Sequence, residues 1–140
     1  MTRSWLYGAA TVLVVHLIWL TLIFTQAYFG WVMGGIIILF FLTMNIAGVG
    51  AFITASRAPK RGFVLGLTMA PLAAVLAVAE NLLLAATGTH VDFSGYRGNL
   101  GLFAVSLAYG LFVSAVCGGI GVWRARRRAA QAPPAVTTSA

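Results

Sequence analysis

Only two carboxylates occur in this chain of 140 residues, and one of them stands inside a long apolar segment. Glu80 lies within RGFVLGLTMAPLAAVLAVAENLLLAATGT, which covers residues 61–89. An ionisable group inside such a segment is costly unless it is neutral, hydrated or paired. The chemistry that this residue offers is reversible binding of a proton or a cation.

A second titratable group, His16, lies in another apolar segment. With a helical rise of about 1.5 Å per residue, His16 and Glu80 fall at depths from which they can meet if their helices adjoin. A pair of this kind is what a proton relay or a coupled transporter uses. Asn45 and Ser106 lie at comparable depths, so we consider that they line the same path.

The alternative is that Glu80 is protonated and only helps the helices to pack. In that case the neutral acid bonds to Ser106, Asn45 or a water molecule. Asn81 follows directly and points about 100° away on a helix, so we predict that it makes an interhelical hydrogen bond instead of binding a ligand.

The most polar connection, residues 88–98, offers His90, Asp92 and Arg97 as a possible ligand site. Two ligands at His-x-Asp spacing are not specific for a metal, and surface polarity explains them equally well. The chain contains one cysteine, Cys117. We therefore predict no metal and no cofactor. Catalysis is disfavoured, although a lipid- or quinone-modifying enzyme stays open as a third class of function.

The composition shows which elements must position these groups. Hydrophobic residues make up 61% of the chain and charged residues 8%, whereas a soluble domain carries about 25% charged residues. The sequence predicts an all-α membrane protein, a compact bundle of four transmembrane helices in residues 1–123. The spans are expected at about 5–27, 31–56, 62–87 and 99–123, with the first span retained and not cleaved, and with a kink at Pro71.

Basic residues flank the predicted spans unevenly. Eight of the nine Lys and Arg residues fall on the side of the termini and the middle connection, so both termini are predicted to be cytoplasmic, in a bacterial inner membrane. Residues 124–140 are expected to form a basic juxtamembrane segment and a disordered tail from Ala129 onward. The positive charge is a topology signal and does not indicate nucleic acid. Four arginines of this segment are expected to contact anionic lipid: Arg124, Arg126, Arg127 and Arg128.

Small residues recur on three of the predicted spans, which favours close packing and self-association. The first span also carries two polar ridges, one with His16 and one with Thr11, Thr21 and Thr25. From these patterns the leading hypothesis is a non-catalytic accessory or oligomerising subunit, with the lipid bilayer and copies of itself or a larger membrane protein as partners. The alternative is a small proton- or cation-coupled transporter or channel that uses Glu80.

Overall fold

A computed structural model describes residues 3–29, 45–58, 60–87 and 98–131. All regular elements in these ranges are α-helices, as the composition predicts. They are α1 (Arg3–Phe29), α2 (Ile46–Arg57), α3 (Gly62–Leu67), α4 (Met69–Ala86) and α5 (Gly98–Gln131).

Three stretches are long and apolar enough to cross a membrane. They are Arg3–Leu22 within α1, Gly62–Ala86 formed by α3 and α4, and Gly98–Gln131, which is α5. The apolar helix α2 is shorter than these stretches. Residues 31–44 of the predicted second span lie outside the described residues. This architecture is that of an integral membrane protein.

The short helix α2 lies at the centre of the bundle and contacts each of the other four helices. Small residues make this possible. A Cβ atom added to Gly62 would stand 2.7 Å from both the Cα atom and the carbonyl oxygen of Ala55, so only glycine allows α3 to approach α2 this closely. Gly66 and Gly110 make similar close contacts, with Ala51 and with Ala70 respectively.

The third span is interrupted at Thr68, between α3 and α4. Pro71 lacks the N–H group that would bond to the carbonyl of Leu67, so the predicted distortion occurs one turn before the proline. Thr68 Oγ1 donates to the carbonyl of Leu65 (2.7 Å) and accepts a hydrogen bond from Trp5 Nε1 (2.8 Å). The second of these hydrogen bonds joins the interruption to α1.

The last helix does not end where the apolar run ends. The predicted span stops at Trp123, whereas α5 continues through the basic residues to Gln131. Arginine, alanine and glutamine are strong helix formers, and positive charge near a helix C-terminus is favourable. The first three residues of the expected disordered tail, 129–131, are therefore helical, and residues 132–140 lie outside the described residues.

Candidate functional site

Helix α1 turns one face into the bundle. Ser4, Gly8, Val12, His16 and Trp19 are buried, and they recur every three or four residues, which is the spacing of a single helical stripe. His16 is 5% exposed. Its ridge is therefore the inward one of the two polar ridges on this helix.

Two threonines of the ridge on the opposite side of α1 bond back to their own helix. Thr11 Oγ1 donates to the carbonyl of Tyr7, and Thr21 Oγ1 donates to that of Leu17, each at 2.8 Å. Such back-bonding allows a hydroxyl to face lipid without a partner helix. The side chain of Thr25 lies outside the described residues.

Two consecutive polar residues of α4 point to two different helices. Glu80 meets α1, whereas Asn81 Nδ2 donates to Asn99 Oδ1 at the start of α5, at 2.7 Å. Successive side chains on a helix diverge by about 100°, so the two contacts together fix the rotation of α4. The predicted interhelical hydrogen bond of Asn81 is confirmed.

The imidazole of His16 and the carboxyl group of Glu80 are in direct contact. His16 Nδ1 lies 2.6 Å from Glu80 Oε1, and the two side chains are 7% and 14% exposed. This distance is short even for a charge-assisted hydrogen bond between nitrogen and oxygen. When Nε2 also carries a hydrogen, one proton between Nδ1 and Oε1 makes the pair electrically neutral, whether it is written as imidazolium with carboxylate or as imidazole with carboxylic acid. Without the hydrogen on Nε2, the pair has one negative charge.

The second ring nitrogen of His16 is also buried. Within the described part of the chain, Nε2 has no hydrogen-bond partner. A buried polar atom of this kind costs free energy of about 1–3 kcal/mol. It can accept a proton while Nδ1 passes its own proton to Glu80 Oε1, which is the connectivity of a relay.

Apolar side chains flank the pair along the bundle. Val12 lies one turn before His16 and is fully buried in a cluster with Met69, while Leu84 lies one turn beyond Glu80 and is 3% exposed. The pair is thus held between apolar side chains, where charge is poorly solvated and electrostatic interactions are strong.

The other predicted site residues do not join this pair. Tyr109 donates to Asn45 Oδ1 at 3.4 Å, which links α5 to the beginning of α2. Ser106 is half-buried, and no hydrogen bond connects it to Glu80 in the ranges that the structure covers. His90, Asp92 and Arg97 lie outside the described residues. Among the described residues, no group of three potential metal ligands is found.

Two buried hydroxyls were missed by the sequence analysis. Thr54 and Ser114 are both fully buried, and neither hydroxyl oxygen has a partner in the described ranges. Thr54 Oγ1 occupies the position that a side chain at Gly8 would need. Threonine and serine are common in membrane spans, so only the packing distinguishes Thr54 and Ser114 from the other hydroxyl residues of the spans.

No protein family, curated protein or solved structure matches this chain in the comparisons made.

Proposed function

We propose that this protein is a small proton-coupled transporter or channel, in which His16 and Glu80 bind the coupling proton. The observation that carries the proposal is the 2.6 Å contact between the buried imidazole of His16 and the half-buried carboxyl group of Glu80 inside apolar helices. Intramembrane ionisable residues are rare, costly and typical of proton and ion pathways.

The proposed relay is balanced in atoms and charge. In the proton-free state the imidazole carries its hydrogen on Nδ1 and Glu80 is ionised, so the pair has one negative charge. A proton that arrives at Nε2 is accompanied by transfer of the Nδ1 hydrogen to Oε1. The product is the other imidazole tautomer beside a neutral acid, and the pair has no charge. Since the negative state is poorly solvated there, it favours capture of a proton or of a monovalent cation.

The packing of the small residues reduces the support for a purely oligomerising role. Gly62, Gly66 and Gly110 approach other helices of the same chain, so these glycines serve the fold of one molecule. The threonine ridge bonds to its own helix. The contacts of these glycines and the back-bonds of Thr11 and Thr21 are thus accounted for within one chain.

The proposed setting is a bacterial cytoplasmic membrane, crossed four times, with both termini in the cytoplasm. The eight-to-one distribution of Lys and Arg supports this orientation. The second crossing would include residues 31–44 together with α2.

The test is proton movement into proteoliposomes that contain a pH-sensitive dye, with imposed gradients of protons, Na⁺, K⁺ and a quaternary ammonium ion. The wild type is expected to change the internal pH in response to at least one gradient. Glu80→Gln keeps the shape of the side chain but cannot ionise, and we expect it to reduce this flux to the level of empty liposomes.

Thr21→Val is the matched control. It removes one polar group from α1, the helix that carries His16, on the face opposite to the pair. The flux should therefore be unchanged. If Glu80→Gln inserts normally and transports as fast as the wild type, the proposal is wrong. It is equally wrong if the wild type moves none of these ions.

A second candidate, an accessory or oligomerising subunit, is supported by a surface of α5 that faces away from the bundle. Small side chains form one stripe there, at Ala104, Ala108, Ala115 and Gly119, and a Cβ atom on Gly119 would meet no atom of the described residues within 4 Å. Small residues are typical of helix contacts in membranes. The native mass of the complex from its own membranes in mild detergent tests this role: a lone monomer would exclude it, and a co-purifying chain would identify the partner.

A further inference from the structure

Arginines from two helices converge on one cavity at the end of the bundle where α2 finishes. The cavity has a volume of about 250 Å³. It is lined by Phe52, Ile53, Ser56, Arg57, Arg124 and Arg128. Arg124 and Arg128 are four residues apart and lie on one face of α5, because this helix continues beyond the apolar run.

A close helix contact places these side chains together. A Cβ atom on Gly121 would stand 2.8 Å from the carbonyl oxygen of Phe52 and 2.9 Å from Ala55 Cβ, so α5 runs directly against the end of α2 at this point. Arg124 follows Gly121 by one turn. It is therefore carried to the same level as Arg57, the last residue of α2.

Aromatic rings hold two of the three guanidinium groups. Arg57 lies over the ring of Tyr7, 4.2 Å from its centroid, and Arg124 lies 5.9 Å from the centroid of Phe52. Stacking uses the face of a guanidinium group and leaves its N–H edges able to donate. By contrast, Arg127 stacks on Trp123, a residue that does not line the cavity.

Among the residues that the structure describes, no carboxylate lies close to the three positive charges. The chain has only Glu80, which contacts His16, and Asp92, which precedes α5 in the sequence. Arg124 lies 26 residues after Gly98, where α5 begins, which corresponds to about 40 Å along the helix. Three like charges around one cavity repel one another, and a bound anion would relieve this repulsion.

From this arrangement we propose that the cavity binds the phosphodiester group of an anionic phospholipid. Arginine is the side chain best suited to phosphate, because its planar group can donate two parallel hydrogen bonds. Phe52 and Ile53 line the part of the cavity that lies deeper along the apolar helix α2, where they can contact the glycerol and the first acyl carbons. A phosphate in free solution would gain nothing from these two side chains.

Native mass spectrometry of the full chain in mild detergent, titrated with phosphatidylglycerol or phosphatidylcholine, tests this assignment. One phosphatidylglycerol molecule is expected to bind more tightly than the rest, and phosphatidylcholine is expected to show no such tight site. The variant Arg57→Gln with Arg124→Gln should weaken the tight site by about tenfold or more, because two of the three arginines that line the cavity lose their charge.

The matched control is Lys60→Gln with Arg61→Gln, which removes the same charge from the turn between α2 and α3 at the same end of the molecule, where neither residue lines the cavity. It should change binding by no more than about twofold. Equal weakening in both variants would show nonspecific attraction and overturn the proposal, as would equal binding of the two lipids. Displacement of the bound lipid by millimolar inorganic phosphate would assign the cavity to a soluble phosphorylated ligand. Circular dichroism and gel filtration check that each variant is folded.

Discussion

The contact between His16 and Glu80 joins two side chains that are each costly when left alone inside a membrane. Replacing only one of them leaves the other buried without its partner, which costs about 1–3 kcal/mol. Replacing both removes two desolvated polar groups together with their bond, and such double replacements of buried pairs are often close to neutral. The pair should therefore show strong thermodynamic coupling.

We predict that His16→Leu and Glu80→Leu each lower the free energy of unfolding by about 1–3 kcal/mol. In the double variant, the loss should be smaller than the sum of the two single losses by at least about 1 kcal/mol. The free energy of unfolding can be measured by titrating the detergent-solubilised protein with dodecyl sulfate. Thr21→Val provides the control and should change stability by less than about 0.5 kcal/mol. Strict additivity of the two single variants would contradict a direct interaction.

At the same scale, the sequence predicts the pair but not its surroundings. Counting residues along two helices places His16 and Glu80 at compatible depths, because the rise of a helix is constant. Which helices adjoin, and in which rotation, depends on packing that no single segment encodes. For this reason Arg57 was recognised only as part of the charge distribution, and Thr54 and Ser114 were not singled out.

At the scale of the helices, the close approach of α3 to α2 depends on Gly62. A methyl group there would meet the backbone of Ala55 at 2.7 Å, and backbone atoms cannot move aside without separating the helices. We predict that Gly62→Ala destabilises the protein by about 1–3 kcal/mol, the usual cost of overpacking. The same unfolding titration measures it.

Gly119→Ala is the matched control for that substitution. Gly119 lies within α5, and a Cβ atom on it would have no neighbour within 4 Å in the part of the chain that the structure describes. Alanine is preferred over glycine in helix interiors by about 0.5–1 kcal/mol, so this variant should be neutral or slightly more stable. A destabilisation equal to that of Gly62→Ala would show that helix propensity, and not the contact with α2, governs both positions.

The helices also show which structural features apolarity predicts and which it does not. The apolar stretches Arg3–Leu22 and Gly62–Ala86 overlap the predicted first and third spans, because a membrane-crossing segment must be apolar along its length. Apolarity does not determine where a helix ends, so the extension of α5 to Gln131 was not predicted. Pro71 predicts a distortion of its helix. The hydrogen bond from Trp5 to Thr68, which joins this distortion to α1, could not be predicted because the sequence does not show which helices adjoin.

At the scale of the whole molecule, positive charge is concentrated at one end of the bundle. Arg57 from α2 and Arg124 with Arg128 from α5 line the same cavity, and Lys60 lies in the turn between α2 and α3. Positively charged segments are translocated poorly, so this end should remain in the cytoplasm. The connection that precedes α5 should then face the opposite side.

Cysteine accessibility in intact cells measures this orientation. In a Cys117→Ser background, we predict that Ser94→Cys reacts with a membrane-impermeant maleimide added outside, whereas Lys60→Cys reacts only after the membrane is permeabilised. Both sites should react fully in detergent, which controls for their intrinsic reactivity. The reverse pattern would place the arginine cavity outside the cell. Reaction of both sites in intact cells would indicate that the protein inserts in both orientations. The eight-to-one distribution of Lys and Arg should prevent this, because each basic residue on the cytoplasmic side opposes inversion.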